Sequence, residues 1–128
     1  MVLSDGDDTA SLVTFDQLLD SAKRSQTVIY TVGLGLEEQT PTTLTRSDGE
    51  FGLRQLAQET GGRLFMPKRP TELADVYTQI ANELTNQYIV GYLSNNAGAD
   101  GAWRRVAVRV RRPNLQARTR AGYFAATP

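Results

Sequence analysis

The run Thr27-Val-Ile-Tyr-Thr-Val-Gly33 constrains the fold of this chain more than any other stretch. It is continuous, apolar and rich in β-branched residues, the pattern of a strand buried on both faces. Such a strand needs helices above and below it, so the chain must supply amphipathic helices on either side of the run. Thr14 to Lys23 supplies one, with Phe15, Leu18, Leu19 and Ala22 at i, i+3, i+4 and i+7 and with Thr14 and Gln17 spaced as a capping box. Phe51 to Thr60 predicts a second, with Phe51, Leu53, Leu56 and Ala57 inward and Gly61-Gly62 as its stop. Pro70 to about Asn86 predicts a third, striped by Leu73, Val76, Tyr77, Ile80, Ala81 and Leu84.

Short strands are expected at Val2 to Ser4 and at Arg63 to Met66. Leu34 to Glu50 has no periodicity and is rich in Thr, Pro, Gly and charge, which predicts a long loop. From Tyr88 the period changes to two. Tyr88 to Leu93 and Trp103 to Arg111 read as the arms of a hairpin around a polar Asn/Gly turn. Ala117 to Ala125 follows as a last strand after Pro113-Asn114. The fold class is therefore α/β: a Rossmann-like, partly parallel sheet in β-α-β-α-β-α order, then a C-terminal antiparallel hairpin. Residues 1–87 form the α/β unit, and residues 88–128 an antiparallel extension packing on it.

Composition narrows the chemistry. The 128 residues contain no cysteine and no histidine. This removes thiolate nucleophiles, disulfides, imidazole bases and most transition-metal sites. Any metal must be held by oxygen, which selects magnesium, calcium or manganese. No apolar run is long enough to cross a membrane, and no export leader is expected at the N-terminus. Formal net charge is zero, yet every Asp and Glu lies at or before Asp100, while Arg104, Arg105, Arg109, Arg111, Arg112, Arg118 and Arg120 all follow it.

The first eight residues, Met1-Val-Leu-Ser-Asp-Gly-Asp-Asp8, hold the candidate site. An apolar strand ends at Ser4 and runs into a turn with carboxylates at Asp5, Asp7 and Asp8. Ligands of open α/β sheets bind outside the carboxyl ends of the strands, so these groups are placed as ligands for a hard cation. The same run also reads as a solvated turn leading to a helix cap.

The order of motifs resembles the C-terminal half of a von Willebrand factor type A (VWA) domain, nearest to the VWFA-related type first described from acidobacterial proteins. The residues carrying the resemblance are Val2 to Asp8, Ile29 to Gly33, Leu56 to Arg63, Ala81 to Tyr88, Trp103-Arg104 and Arg120 to Phe124. The resemblance implies a non-catalytic protein-interaction module. In that family a divalent cation, held in a metal-ion-dependent adhesion site, binds an acidic side chain of a protein partner. Asp5 matches the family's metal-site aspartate at the end of the fourth strand, and Ser4, Asp7 and Asp8 would shape the rim. The Asp-x-Ser-x-Ser element of that site has no match in this chain, and neither do the family's first three strands. The chain thus reads as a fragment with an incomplete site, and magnesium, which prefers octahedral oxygen coordination, should bind weakly or not at all. An uncovered edge at Val2 implies marginal stability or self-association. The resemblance also implies an extracytoplasmic setting.

Two other readings compete. Asp5-x-Asp7-x-Thr9 after a strand fits the first motif of magnesium-dependent haloacid-dehalogenase-type phosphatases, with Thr31 in the place of the second. That reading lacks the later acidic pair, since the strand ending at Met66 runs into Pro67-Lys68-Arg69. A nucleic-acid reading would use Arg105, Arg109 and Arg111 on one strand face, with Trp103 and Tyr123 stacking on bases. Arginines on the solvent face of a hairpin are common, and the acidic body opposes polyanions, so no nucleic acid is expected.

Overall fold

The structure is a computed structural model that describes residues 1–4, 12–34, 43–96 and 98–127, and for 43–48 the helix backbone alone. Three parallel strands form the main sheet: β1 (Val2–Ser4), β2 (Thr31–Gly33) and β3 (Leu64–Phe65), in that spatial order. They alternate with α1 (Phe15–Ser25), α2 (Thr43–Thr60) and α3 (Leu73–Thr85), the last entered through a 3-10 turn at Pro70–Glu72. A separate antiparallel pair, β4 (Trp103–Arg105) and β5 (Gly122–Phe124), completes the fold. The α/β layout expected from the apolar runs is the one observed.

The period-two alternation of the central run sorts its side chains between two layers. Tyr30 and Val32 face α3 and pack with Phe65, Val76 and Ile80. Thr31 points the other way, where its hydroxyl donates to the Leu53 carbonyl of α2 at 3.1 Å. On that side Leu19 and Ala22 of α1 pack with Leu56 of α2, and Ile29 joins them. The middle strand is thus covered on both faces, and all three of its residues are buried.

Coverage falls off toward β1. Leu3, Val32 and Phe65 stand in register across the sheet, and their exposures are 47, 1 and 7 %. Val32 and Phe65 pack against Val76 and Ile80 of α3, a cluster to which Leu3 does not belong. Among the described strands β1 has one neighbour, β2, and so lies at an edge of this sheet.

Helix ends follow the sequence signals. Thr14 caps α1 and the reciprocal Gln17 bond is present, a complete capping box. At the end of α2, the Gly62 N–H reaches the Ala57 carbonyl at 2.8 Å and the Gly61 N–H reaches Gln58 at 3.2 Å. Those two bonds are a Schellman stop, with Gly61 in the left-handed region at φ 87°.

Several expectations need correction. The loop expected over Leu34 to Glu50 gives way to α2 from Thr43 onward; residues 35–42 lie outside the described residues. The unanticipated turns, Thr43 to Glu50, show no apolar period in the sequence, whereas Gly52 lies in the stretch expected to be helical. Its bare backbone receives the Phe15 ring, so the helix penalty is offset by an inter-helix contact. Phe51 is exposed rather than inward, because it sits about 200° around the helix from Leu53. Phe15, Leu18, Tyr77, Ala81 and Leu84 also keep much of their surface in water, so the inner stripes are narrower than expected.

The strand expected at Tyr88 to Leu93 is not formed, and Tyr88 is exposed rather than packed. β4 pairs instead with β5, and the ladder runs from Ala102–Ala125 to Val106–Ala121. Beyond it the expected long strands part, as Arg118 turns to Glu83 on α3 and Arg120 to Gln26 after α1.

Candidate functional site

The carboxyl ends of the three parallel strands lie side by side. Ser4 is in register with Gly33, and the Leu34 N–H bonds the Ser4 carbonyl at 2.9 Å. β3 ends one pair short of that level, at Phe65 opposite Val32, and Met66 follows. Gly33 leaves room here for the Met66 side chain: a Cβ at that position would meet the Met66 sulfur unless the thioether moved. The thioether therefore lies over the end of β2, and the described wall of the crevice is formed by Ser4, Gly33, Leu34 and Met66. Among these Ser4 brings the one side-chain oxygen. Asp5, Asp7, Asp8 and Thr9 lie outside the described residues, as do Glu37 and Glu38. Among the described residues no group of three or more His, Cys, Asp or Glu is placed to hold a metal ion. A hard cation at this edge would therefore draw its oxygens chiefly from residues beyond Ser4.

The carboxylate nearest after β3 is already engaged. Glu72 accepts the Lys68 N–H and the Arg69 Nε, both at 2.9 Å. The Lys68 bond, then the Arg69 bond, holds its pKa below the ordinary value of 4.5. Glu72 thus serves a local turn.

Trp103 and Tyr123, the residues proposed to stack on bases, are both occupied within the chain. Trp103 meets the Phe124 ring edge-on at 4.8 Å, and Lys23 Nζ stands 5.1 Å over its ring. Tyr123 meets Tyr92 edge-on at 6.5 Å. The two facing hydroxyls act on one another, with the Tyr123 pKa lowered and that of Tyr92 raised; Ser94, Arg104 and Arg120 lower Tyr123 further. Arg105, Arg109 and Arg111 are exposed and make no ion pair among the described residues.

Two polar clusters were not anticipated, and both join parts distant in sequence. At the seam between α1 and the β4–β5 pair, Lys23 bridges Glu59 at 3.1 Å while covering Trp103, and the Arg24 guanidinium sits 4.1 Å over Phe124. The crevice there, bordered by Gln26, Thr60 and Arg120, has about 10 Å³ of free room, enough for one water. On the opposite side Glu83 takes Arg63 at 3.6 Å and Arg118 more closely, with the Tyr30 hydroxyl as a further donor. Both clusters have a plain structural use, fastening the C-terminal arm to the helices. No local sequence pattern announces either, since each partner looks like an ordinary surface charge.

No family model matches the chain, and no curated protein matches it. Among solved structures it is similar to an uncharacterized membrane spanning protein from Vibrio fischeri, with a TM-score of 0.52 and 31% sequence identity. The match covers 63% of this chain and 44% of that one, so the chain spans less than half the length of the protein it resembles.

Proposed function

We propose that the chain is a non-catalytic protein-interaction module of the VWA type, with its binding edge at the carboxyl ends of β1, β2 and β3. The observation that carries this reading is the alignment of three parallel strand ends, with an acidic run continuing directly from β1 at Ser4. In this reading Asp5 contributes to the coordination sphere of a divalent cation, in part through water. An acidic side chain of the protein partner completes the sphere, and Ser4, Asp7 and Asp8 set the charge of the rim. Asp5 alone gives one carboxylate, so the chain by itself holds magnesium weakly. Self-association by strand addition on the β1 side of the sheet belongs to the same reading.

The setting we propose is extracytoplasmic. It draws on the resemblance and on a neighbour described as membrane spanning, to which this chain corresponds only in part. No helix among the described residues is long and apolar enough to cross a membrane.

The test is calorimetric titration of magnesium and manganese into the wild type and Asp5→Ala, alongside a phosphate-monoester hydrolysis assay. Weak binding that Asp5→Ala removes, without hydrolysis, is the expected result. Tight binding accompanied by magnesium-dependent hydrolysis, both lost in Asp5→Ala and Asp7→Asn, would replace this reading with the phosphatase one.

A further inference from the structure

Among the described residues, Tyr88 to Leu93 is the most exposed apolar stretch. Tyr88, Ile89 and Leu93 are 92, 102 and 96 % exposed, Val90 is 78 % exposed, and Tyr92 is 61 % exposed with its ring edge-on to Tyr123. The run combines β-branched and aromatic residues, yet among the described residues it has no partner strand and no backbone hydrogen bond. Its side chains leave on the order of 700 Å² in water, more than the roughly 300–600 Å² of the largest patch on a typical monomer.

We infer that this segment pairs antiparallel with the same segment of a second copy, about a two-fold axis through Val90. Four observations select this occupant. First, Leu84 to Ala99 contains no charge and no proline, so the patch offers no ionic feature to a charged partner and no barrier to its own copy. Second, a register centred on Val90 is self-complementary. Tyr88 stands opposite Tyr92 of the second copy, Val90 opposite Val90, and the bulk of Ile89 opposite Gly91.

Third, Gly91 has no use within its own chain. It is not at positive φ, and a Cβ there would meet nothing within 4 Å. A glycine in a strand-forming run with open space around it suits the close approach of another backbone. Fourth, the pairing supplies what one copy lacks: a ladder would engage the backbone N–H and C=O groups of the run, which have no backbone partner among the described residues.

The absence of cysteine makes the test clean. Val90→Cys places two thiols across the axis, where paired Cα atoms of an antiparallel ladder are about 4.5–5.5 Å apart, a separation a disulfide can span. Mild oxidation should convert most of Val90→Cys to a covalent dimer. Tyr77→Cys, on the exposed side of α3, should remain largely monomeric. Sedimentation of the wild type over about 1–100 μM should show a dimer. Val90→Lys should sediment as a monomer with an unchanged circular dichroism spectrum. A wild type that stays monomeric, including one that instead partitions onto lipid vesicles, overturns the inference. So does a wild-type dimer whose Val90→Cys links no faster than Tyr77→Cys, because its contact would then lie elsewhere, as at β1.

Discussion

The Thr60 hydroxyl accepts the backbone N–H of Ile29 at 3.1 Å and lies 2.8 Å from the Leu56 carbonyl, to which it donates. One buried side chain thereby ties the last turn of α2 to the chain entering β2. Thr60→Val keeps the shape and leaves the Ile29 N–H without its acceptor. It should cost about 1–3 kcal/mol in urea denaturation, while Thr60→Ser should stay near wild type.

Two glycine substitutions should separate by what their new methyl groups meet. At Gly33 the obstacle is the end of the flexible Met66 side chain. At Gly62 it is the backbone carbonyl of Ile29. Gly33→Ala should cost under about 1 kcal/mol, since the thioether can swing aside, and Gly62→Ala about 1–3 kcal/mol or more, since the backbone cannot. Chemical denaturation midpoints of the two variants test the ordering.

Tyr30 should be a late-titrating tyrosine. Burial first, and then the hydrogen bond to the Glu83 carboxylate, raise its pKa above the ordinary 10.0. The folded state therefore holds this proton more tightly than the unfolded chain does. The resulting stability is fully present below pH 10 and is lost as pH rises through the folded pKa. Ultraviolet titration of the phenols should show a delayed component that shrinks in Tyr30→Phe, where Tyr92 is still raised.

Trp103, the single tryptophan, reports on the seam between α1 and the β4–β5 pair. Trp103→Ala should cost about 2 kcal/mol, below the roughly 3–5 kcal/mol of a fully buried aromatic, because the ring is only half-buried. Lys23→Ala should leave the fold intact and shift the indole emission to longer wavelength by admitting water to the ring face.

The α/β body was legible because its signals are local. The unbroken run at Thr27 to Gly33, the Thr14–Gln17 capping box and the Gly61-Gly62 stop each specify a conformation within a few residues. The start of α2 was hidden because Thr43 to Glu50 is rich in Thr, Ser, Asp and Gly and has no apolar period, which reads locally as a loop. Phe51 was misassigned by hydrophobicity where helical phase decides. The C-terminal region was read as one long hairpin because its period-two pattern is real. What the pattern could not convey is that Arg118 and Arg120 leave the ladder for Glu83 and Gln26. At the candidate site Ser4 and Gly33 lie where the strand pattern put them. The carboxylates Asp5, Asp7 and Asp8 fall outside the described residues.

The join at the end of α2 has a consequence for how the molecule comes apart. The Ala121 N–H bonds the Glu59 carbonyl at 3.1 Å, and the Arg120 backbone rests on Gly61, so β5 is fastened to the turn that stops the helix. The remaining fastenings of the arm are largely ion pairs and ring-edge contacts, open to water and to salt. Amide protons of β4 and β5 should therefore exchange in a sub-global opening that leaves those of β2 protected. Salt should bring that opening nearer without touching the buried strand.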